Sequence, residues 1–168
     1  TPRGHEFALE TEATAGGRTV WRAVSRFLAR RPKSVGEARS RTARPEAGDP
    51  PTVTTTSWHC DADIGRRYGW ISGDMNPIHL TDASAKLFGF DRAIAHGMWT
   101  LARVAHELGP QYPSGALRMR VSFRAPVRLP GWVMLHYWGN GPRIDFRLRG
   151  SDGERLYVDG SAEALIEA

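Results

Sequence analysis

Beyond Pro113 this chain never returns to a helical period, and that asymmetry limits its fold more than any other feature. Leu117, Met119, Val121 and Phe123 alternate with Arg118, Arg120, Ser122 and Arg124, which gives a strand one apolar and one polar face. Further extended runs are expected at Trp132 to Trp138, Ile144 to Arg149 and Arg155 to Ile166, with the turn signals GNGP and SDGE between them. Ahead of these strands lies one long helical period. Starting at His96 or Gly97, apolar Met98, Leu101, Val104, Ala105 and Leu108 recur at helical spacing until Gly109 and Pro110 close the helix. One long helix followed by consecutive antiparallel strands predicts an α+β fold, with the helix against one face of the sheet.

Upstream the texture differs. HEFALETEA and RTVWRAVSRFLAR, joined at Ala15, Gly16 and Gly17, read as a β-hairpin over residues 1–30. Residues 31–52 hold Pro32, Pro45, Pro50 and Pro51 with Gly36 and Gly48 among polar side chains, the composition of a linker. The main domain then runs over 53–168. It opens with a short helix expected from Ala62 to Trp70, and a second one capped by Asp82 and ended after Phe88 by Gly89.

The chain has 168 residues, 40% hydrophobic and 24% charged, enough for one domain with a buried core plus an appendage. No apolar run approaches the roughly 20 residues of a membrane-spanning helix, and TPRGHEF lacks the apolar stretch of a secretory signal, so a cytoplasmic protein is expected. Cys60 is the only cysteine, which excludes an intrachain disulfide and reads as a small buried hydrophobe. The net charge is +5, but the excess is local. Residues 18–44 carry nine basic side chains against Glu37 alone, and the arginines from Arg118 to Arg149 are opposed only by Asp145. Since no zinc-ligand spacing, aromatic RNA-binding signature or heptad accompanies them, no nucleic-acid partner is expected.

The chemistry concentrates in SGDMNPIHL, Ser72 to Leu80, followed by AHGM at Ala95 to Met98. Gly, Asn and Pro make the first run a shaped loop that holds a carboxylate, Asp74, and an imidazole, His79, five residues apart just ahead of a helix. An acid and a base so placed suit proton transfer. Asn76 either stabilises the turn or orients a catalytic partner. His96 reads first as a helix cap or a buried hydrogen-bonding group, and second as a chemical participant. His59, His106 and His136 show no metal-ligand spacing, and no metal is expected.

SGDMNPIHL, GFDRAIAHGM and the later SFRAPVRLPG resemble the MaoC-type (R)-specific enoyl-thioester hydratases, over roughly residues 52–168. The resemblance implies the hotdog fold, an antiparallel sheet wrapped around a central helix, and a reversible hydration of 2-enoyl thioesters or dehydration of (R)-3-hydroxyacyl thioesters without cofactor. Asp74 and His79 match the catalytic pair, and Gly97 matches the oxyanion donor at the start of the long helix. Where relatives for short chains carry a serine eight residues after that glycine, this sequence has Ala105. The thioester would be carried by coenzyme A or by acyl carrier protein, whose phosphates or acidic surface suit Arg118, Arg120, Arg124 and Arg128, although those arginines equally suit a solvated strand face. The resemblance also implies a homodimer, or pairing with another hotdog, and makes the N-terminal hairpin the remnant of a first hotdog repeat in a longer protein. A hotdog thioesterase and a non-catalytic acyl-thioester binding module are the rival readings; intact Asp74 and His79 favour the hydratase.

Overall fold

A computed structural model describes residues 4–30, 53–112, 116–139 and 141–165. The expected linker at 31–52 lies outside them. The chain divides into two compact units, Thr1–Ala47 and Gly48–Ala168.

In the first unit, strands β1 (Gly4–Ala15) and β2 (Arg18–Arg30) pair antiparallel. Gly16 and Gly17 make the turn at positive φ, 56° and 74°, as the sequence leads one to expect. The register sorts the side chains by chemistry. Phe7 opposes Phe27, their rings stacked at 5.2 Å, and Ala13 opposes Trp21 on the same face. On the other face Glu12 meets Arg22 at 2.5 Å and Glu6 meets Arg26 at 3.4 Å.

The second unit is built on five antiparallel strands in the order β3-β5-β6-β7-β4. They are β3 (Thr54–Cys60), β4 (Ala116–Phe123), β5 (Gly131–Trp138), β6 (Arg143–Gly150) and β7 (Leu156–Leu165). Three helices lie between β3 and β4 in sequence: α1 (Ile64–Ser72), α2 (Asp82–Leu87) and α3 (Gly97–Leu108). Alternation places Val133 and Leu135 of β5, Ile144, Phe146 and Leu148 of β6, and Val158 and Ala162 of β7 on one buried face. Val104 and Leu108 of α3 join the same core, so the single long helix lies against that face. Gly160 stands opposite Phe146, and a Cβ there would sit 2.3 Å from the Arg120 carbonyl oxygen and 2.7 Å from the Phe146 ring; the missing side chain makes room for both the β4 main chain and the largest fully buried side chain.

Several boundaries move. α1 runs two residues later than expected because Gly73, at φ 77°, ends it by donating its N–H to the Gly69 carbonyl. Thr81, not Asp82, caps α2: its hydroxyl accepts from the Ser84 N–H at 3.1 Å. Asp82 becomes the first helical residue, and its carboxylate accepts the Ala93 N–H at 2.9 Å. β4 buries its apolar alternation only in part. Met119 and Val121 pack on the core, whereas Leu117 and Phe123 are 41% and 51% exposed, because β4 is an edge strand.

Leu148 is fully buried on the central strand of the sheet. Replacing it with Ala is expected to destabilise this unit by about 2–5 kcal/mol, read as a lowered urea midpoint by tryptophan fluorescence.

Candidate active site

Residues 93–95 are clamped from both sides. On the sheet side Ala95 N–H donates to the Val127 carbonyl at 2.8 Å, and Leu129 N–H donates to Ala93 at 2.8 Å. On the loop side Ile94 N–H donates to Ile78 at 3.1 Å, and His79 Nδ1 donates to the Ile94 carbonyl at 2.7 Å. A carbonyl can only accept, so the proton of neutral His79 sits on Nδ1 and Nε2 is left bare. This is the form an imidazole needs to act as a base.

The loop carrying Asp74 is folded by its own side chains. Asp74 N–H donates to Ser72 Oγ at 3.3 Å, Asn76 N–H to Asp74 Oδ1 at 3.2 Å, and Ile78 N–H to Asn76 Oδ1 at 3.3 Å. Pro77–His79 then forms one 3₁₀ turn, for which Asn76 is the cap. Asn76 therefore stabilises the turn with its side chain and holds the Asp74 carboxylate with its main chain. Beneath the loop lies α1, and two glycines four residues apart form its contact. A Cβ on Gly65 would lie 1.8 Å from the His79 carbonyl oxygen, and one on Gly69 would lie 2.8 Å from that of Asp74. Both approaches exclude any side chain.

His96 completes the cluster. It is 3% exposed, its ring stacks on His79 with centroids 3.6 Å apart and planes 24° apart, and its other neighbour is Tyr68 of α1 at 5.0 Å. Its Nε2 donates to the main-chain carbonyl of Asp74 at 2.9 Å and lies 3.8 Å from that residue's Oδ2. His96 stands at the N-cap of α3, where its main chain accepts the Thr100 N–H at 3.0 Å while its side chain makes no capping hydrogen bond; the side chain satisfies a buried hydrogen bond instead, so both readings hold in part. Burial first, and the neighbouring His96 in addition, push His79 below the ordinary imidazole value of 6.5, against the opposing effects of the Ile94 hydrogen bond and Asp74. His79 is thus neutral at neutral pH.

One donor atom from each of Asp74, His79 and His96 falls within 4.8 Å of the others. A metal needs lone pairs that converge, but stacked rings aim their in-plane lone pairs side by side, and the His96 Nε2 proton is committed to Asp74. The set fits proton handling better than coordination.

Gly97 opens α3, where the first-turn N–H groups have no acceptor within the helix and the dipole favours negative charge. Phe123 closes over it: a Cβ at 97 would stand 3.3 Å from that ring. Ala105 is half-buried on α3, two turns on. Of the four arginines, Arg128 flanks the site, forming a β-bridge with Ile94. Arg118 is exposed on β4, while Arg120 pairs with Glu163 at 3.5 Å, Arg124 with Asp159 (Nη2 to Oδ2 3.1 Å), and Arg128 with Asp91 at 3.1 Å. Cys60 is fully buried, and burial pushes its thiol up to about 11, so it is no nucleophile at neutral pH. A cavity of about 320 Å³ between β3, α1 and α3 has Trp58, Tyr68, Ile71 and Trp99 among its walls, and of these Tyr68 also touches His96.

An antiparallel sheet packed on one long helix, with a carboxylate–imidazole loop at the helix N-terminus, defines a hotdog protein. Residues 41–157 match the MaoC-like domain, and the chain belongs to that family. It is similar to 3-hydroxyacyl-thioester dehydratase X of Mycobacterium tuberculosis, 36% identical over 148 residues that make up 88% of this chain and 51% of that protein. The crystal structure of HtdX from Mycobacterium tuberculosis superposes with a TM-score of 0.72 at 32% identity, over 98% of this chain and 64% of that one. An (R)-specific enoyl-CoA hydratase of Rhodospirillum rubrum is 28% identical over 109 residues, 60% of this chain and 76% of that protein. The chain spans about half the length of the Mycobacterium dehydratase it matches.

Gly65→Ala is expected to displace the His79 turn while leaving the sheet intact. Near-native far-UV circular dichroism together with loss of the His79 Nδ1–Ile94 hydrogen bond, followed by NMR of the ring, is the outcome that checks the contact.

Proposed function

We propose that this chain catalyses the reversible (R)-specific hydration of 2-enoyl thioesters, and the reverse dehydration of (R)-3-hydroxyacyl thioesters. The observation that carries this reading is the bare Nε2 of His79 beside the Asp74 carboxylate, next to the N-terminus of α3. Family membership and the names of the matched relatives support it.

The chemistry follows from the geometry. Water bound between Asp74 and His79 gives a proton to His79 Nε2 as its oxygen bonds to C3 of the enoyl group. The resulting imidazolium returns a proton to C2, so one water is added and the protein is unchanged. Asp74 holds the second hydrogen of the water and offsets the transient charge on the ring. Electron density moves onto the thioester oxygen, which the Gly97 N–H and the α3 dipole stabilise. Glycine at 97 lets that carbonyl approach the main chain.

The carrier is coenzyme A or acyl carrier protein. An incoming anion meets a competing carboxylate at each arginine: Glu163 lies opposite Arg118 in the register and pairs with Arg120, Asp159 pairs with Arg124, and Asp91 with Arg128. The reading also includes a cytoplasmic setting, supported by the absence among the described residues of any helix long and apolar enough to cross a membrane and by the free thiol of Cys60. Edge strand β4, with Leu117 and Phe123 exposed, supports pairing with another hotdog domain, in a homodimer or with a first repeat of which the β1–β2 hairpin is the end.

Hydration of crotonyl-CoA and longer enoyl thioesters, followed as loss of enoyl absorbance, tests the reading. Asp74→Asn and His79→Gln are each expected to lower kcat by about 10²–10⁴-fold. Rates equal to the parent's in both variants would overturn the mechanism, and release of free thiol in place of the absorbance change would indicate a thioesterase.

The pH dependence has a definite sign. Activity needs His79 unprotonated, and its folded value lies below 6.5. The rate should therefore hold as pH falls through 6.5 and decline only below it, in a pH profile of kcat/KM measured with saturating and limiting thioester.

A further inference from the structure

His96 lies outside the acid–base pair, yet it touches both members of it. On packing grounds alone its position, 3% exposed between Tyr68 and His79, would be filled best by a carbon ring. An imidazole there leaves Nδ1 buried with no hydrogen-bond partner among the described residues, an arrangement that costs stability. The other edge and the face of the ring are both engaged. Nε2 donates to the Asp74 carbonyl at 2.9 Å and lies 3.8 Å from its carboxylate, and the face covers His79 at 3.6 Å. Because His96 is the residue just before Gly97, the same segment also fixes the start of α3.

We propose that His96 is a positioning residue, which holds Asp74 through its main-chain carbonyl and His79 through ring stacking so that both reach the same water, and which opposes a standing proton on His79. The inference rests on the hydratase reading for its catalytic consequence, and on geometry alone for its effect on the two neighbours. The His96 ring lies against His79 at 3.6 Å and disfavours a proton there, in the same direction as burial. The titratable groups that face it are Tyr68 from α1, Asp74 from the loop and His79 from the 3₁₀ turn. Arg66 of α1 adds a cation at the Leu80 carbonyl, 3.0 Å away, beside His79. From β4 the neighbour at Gly97 is Phe123, which does not titrate. Only Asp74 brings negative charge, and His96 keeps that residue within reach.

Two variants separate the two contacts. His96→Phe keeps a ring face against His79 and removes the donor to Asp74; His96→Gln keeps an amide donor and removes the ring. The measurements are kcat and KM for enoyl-thioester hydration across pH, and the titration of the His79 ring by NMR. His96→Phe is expected to lower kcat about 10- to 100-fold with KM little changed, the size of effect that a misplaced catalytic group produces. In both variants the His79 titration and the acidic limb of kcat/KM move to higher pH, and His96→Gln recovers part of the kcat lost in His96→Phe. Parental kcat and parental His79 titration in both variants would show that His96 only fills space, and the proposal would fall. If the parent protein hydrates no enoyl thioester, the hydratase reading fails, and the NMR titration still decides whether His96 governs His79. If His96→Phe does not fold, His96→Gln carries the same measurements.

Discussion

The hydrogen bond from His79 Nδ1 to the Ile94 carbonyl is the contact on which the rest of the site depends. It sets the tautomer, leaving Nε2 free. It also joins the Asp74–His79 loop to a segment that is itself pinned to the connection between β4 and β5 through Val127 and Leu129. Because that segment leads directly into α3, the same few residues place the His79 ring, the Gly97 N–H and the connection between β4 and β5. A loop rich in Gly, Asn and Pro would otherwise be the most variable part of the unit. Here it inherits the rigidity of a core built from β5, β6 and β7.

Much of this was legible in the sequence, and the failures are instructive. α3 was bounded correctly because its apolar period and its Gly109–Pro110 stop are both local signals. Asp74, His79 and Gly97 could be singled out for the same reason, since each lies within a short run whose composition restricts the backbone. α1 was misplaced by two residues because the stop is a left-handed Gly73, one of several glycines in a run where composition does not say which one turns. The exposure of Leu117 and Phe123 was not visible either: alternation marks two faces of a strand, and only the strand order reveals that β4 has no neighbour on one side.

What the sequence concealed most completely was the support beneath the Asp74–His79 loop. Gly65 and Gly69 fall inside the helix expected from Ala62 to Trp70 with nothing local to mark them, yet both are required by main-chain carbonyls at positions 79 and 74 that approach within side-chain distance. His96 likewise contacts residues 17 and 22 positions earlier in the chain. Such contacts depend on how a loop is laid over a helix, a tertiary fact that no local period records. Asn76, by contrast, was ambiguous only because its two readings coincide. A residue whose side chain caps the turn and whose N–H holds Asp74 does both at once.

The two members of the candidate pair sit in opposite environments, and the proposed reaction needs that difference. His79 is buried, where the neutral ring is favoured and a proton is held only briefly, whereas the Asp74 side chain is 55% exposed and keeps its solvation. Burying both would cost several kcal/mol for an isolated carboxylate and would close the route by which water enters. Exposing both would return the imidazole to its ordinary value and let bulk water compete for the thioester oxygen. One buried imidazole and one solvated carboxylate, both in contact with His96 and floored by two glycines, would keep water available on one side and proton transfer confined on the other.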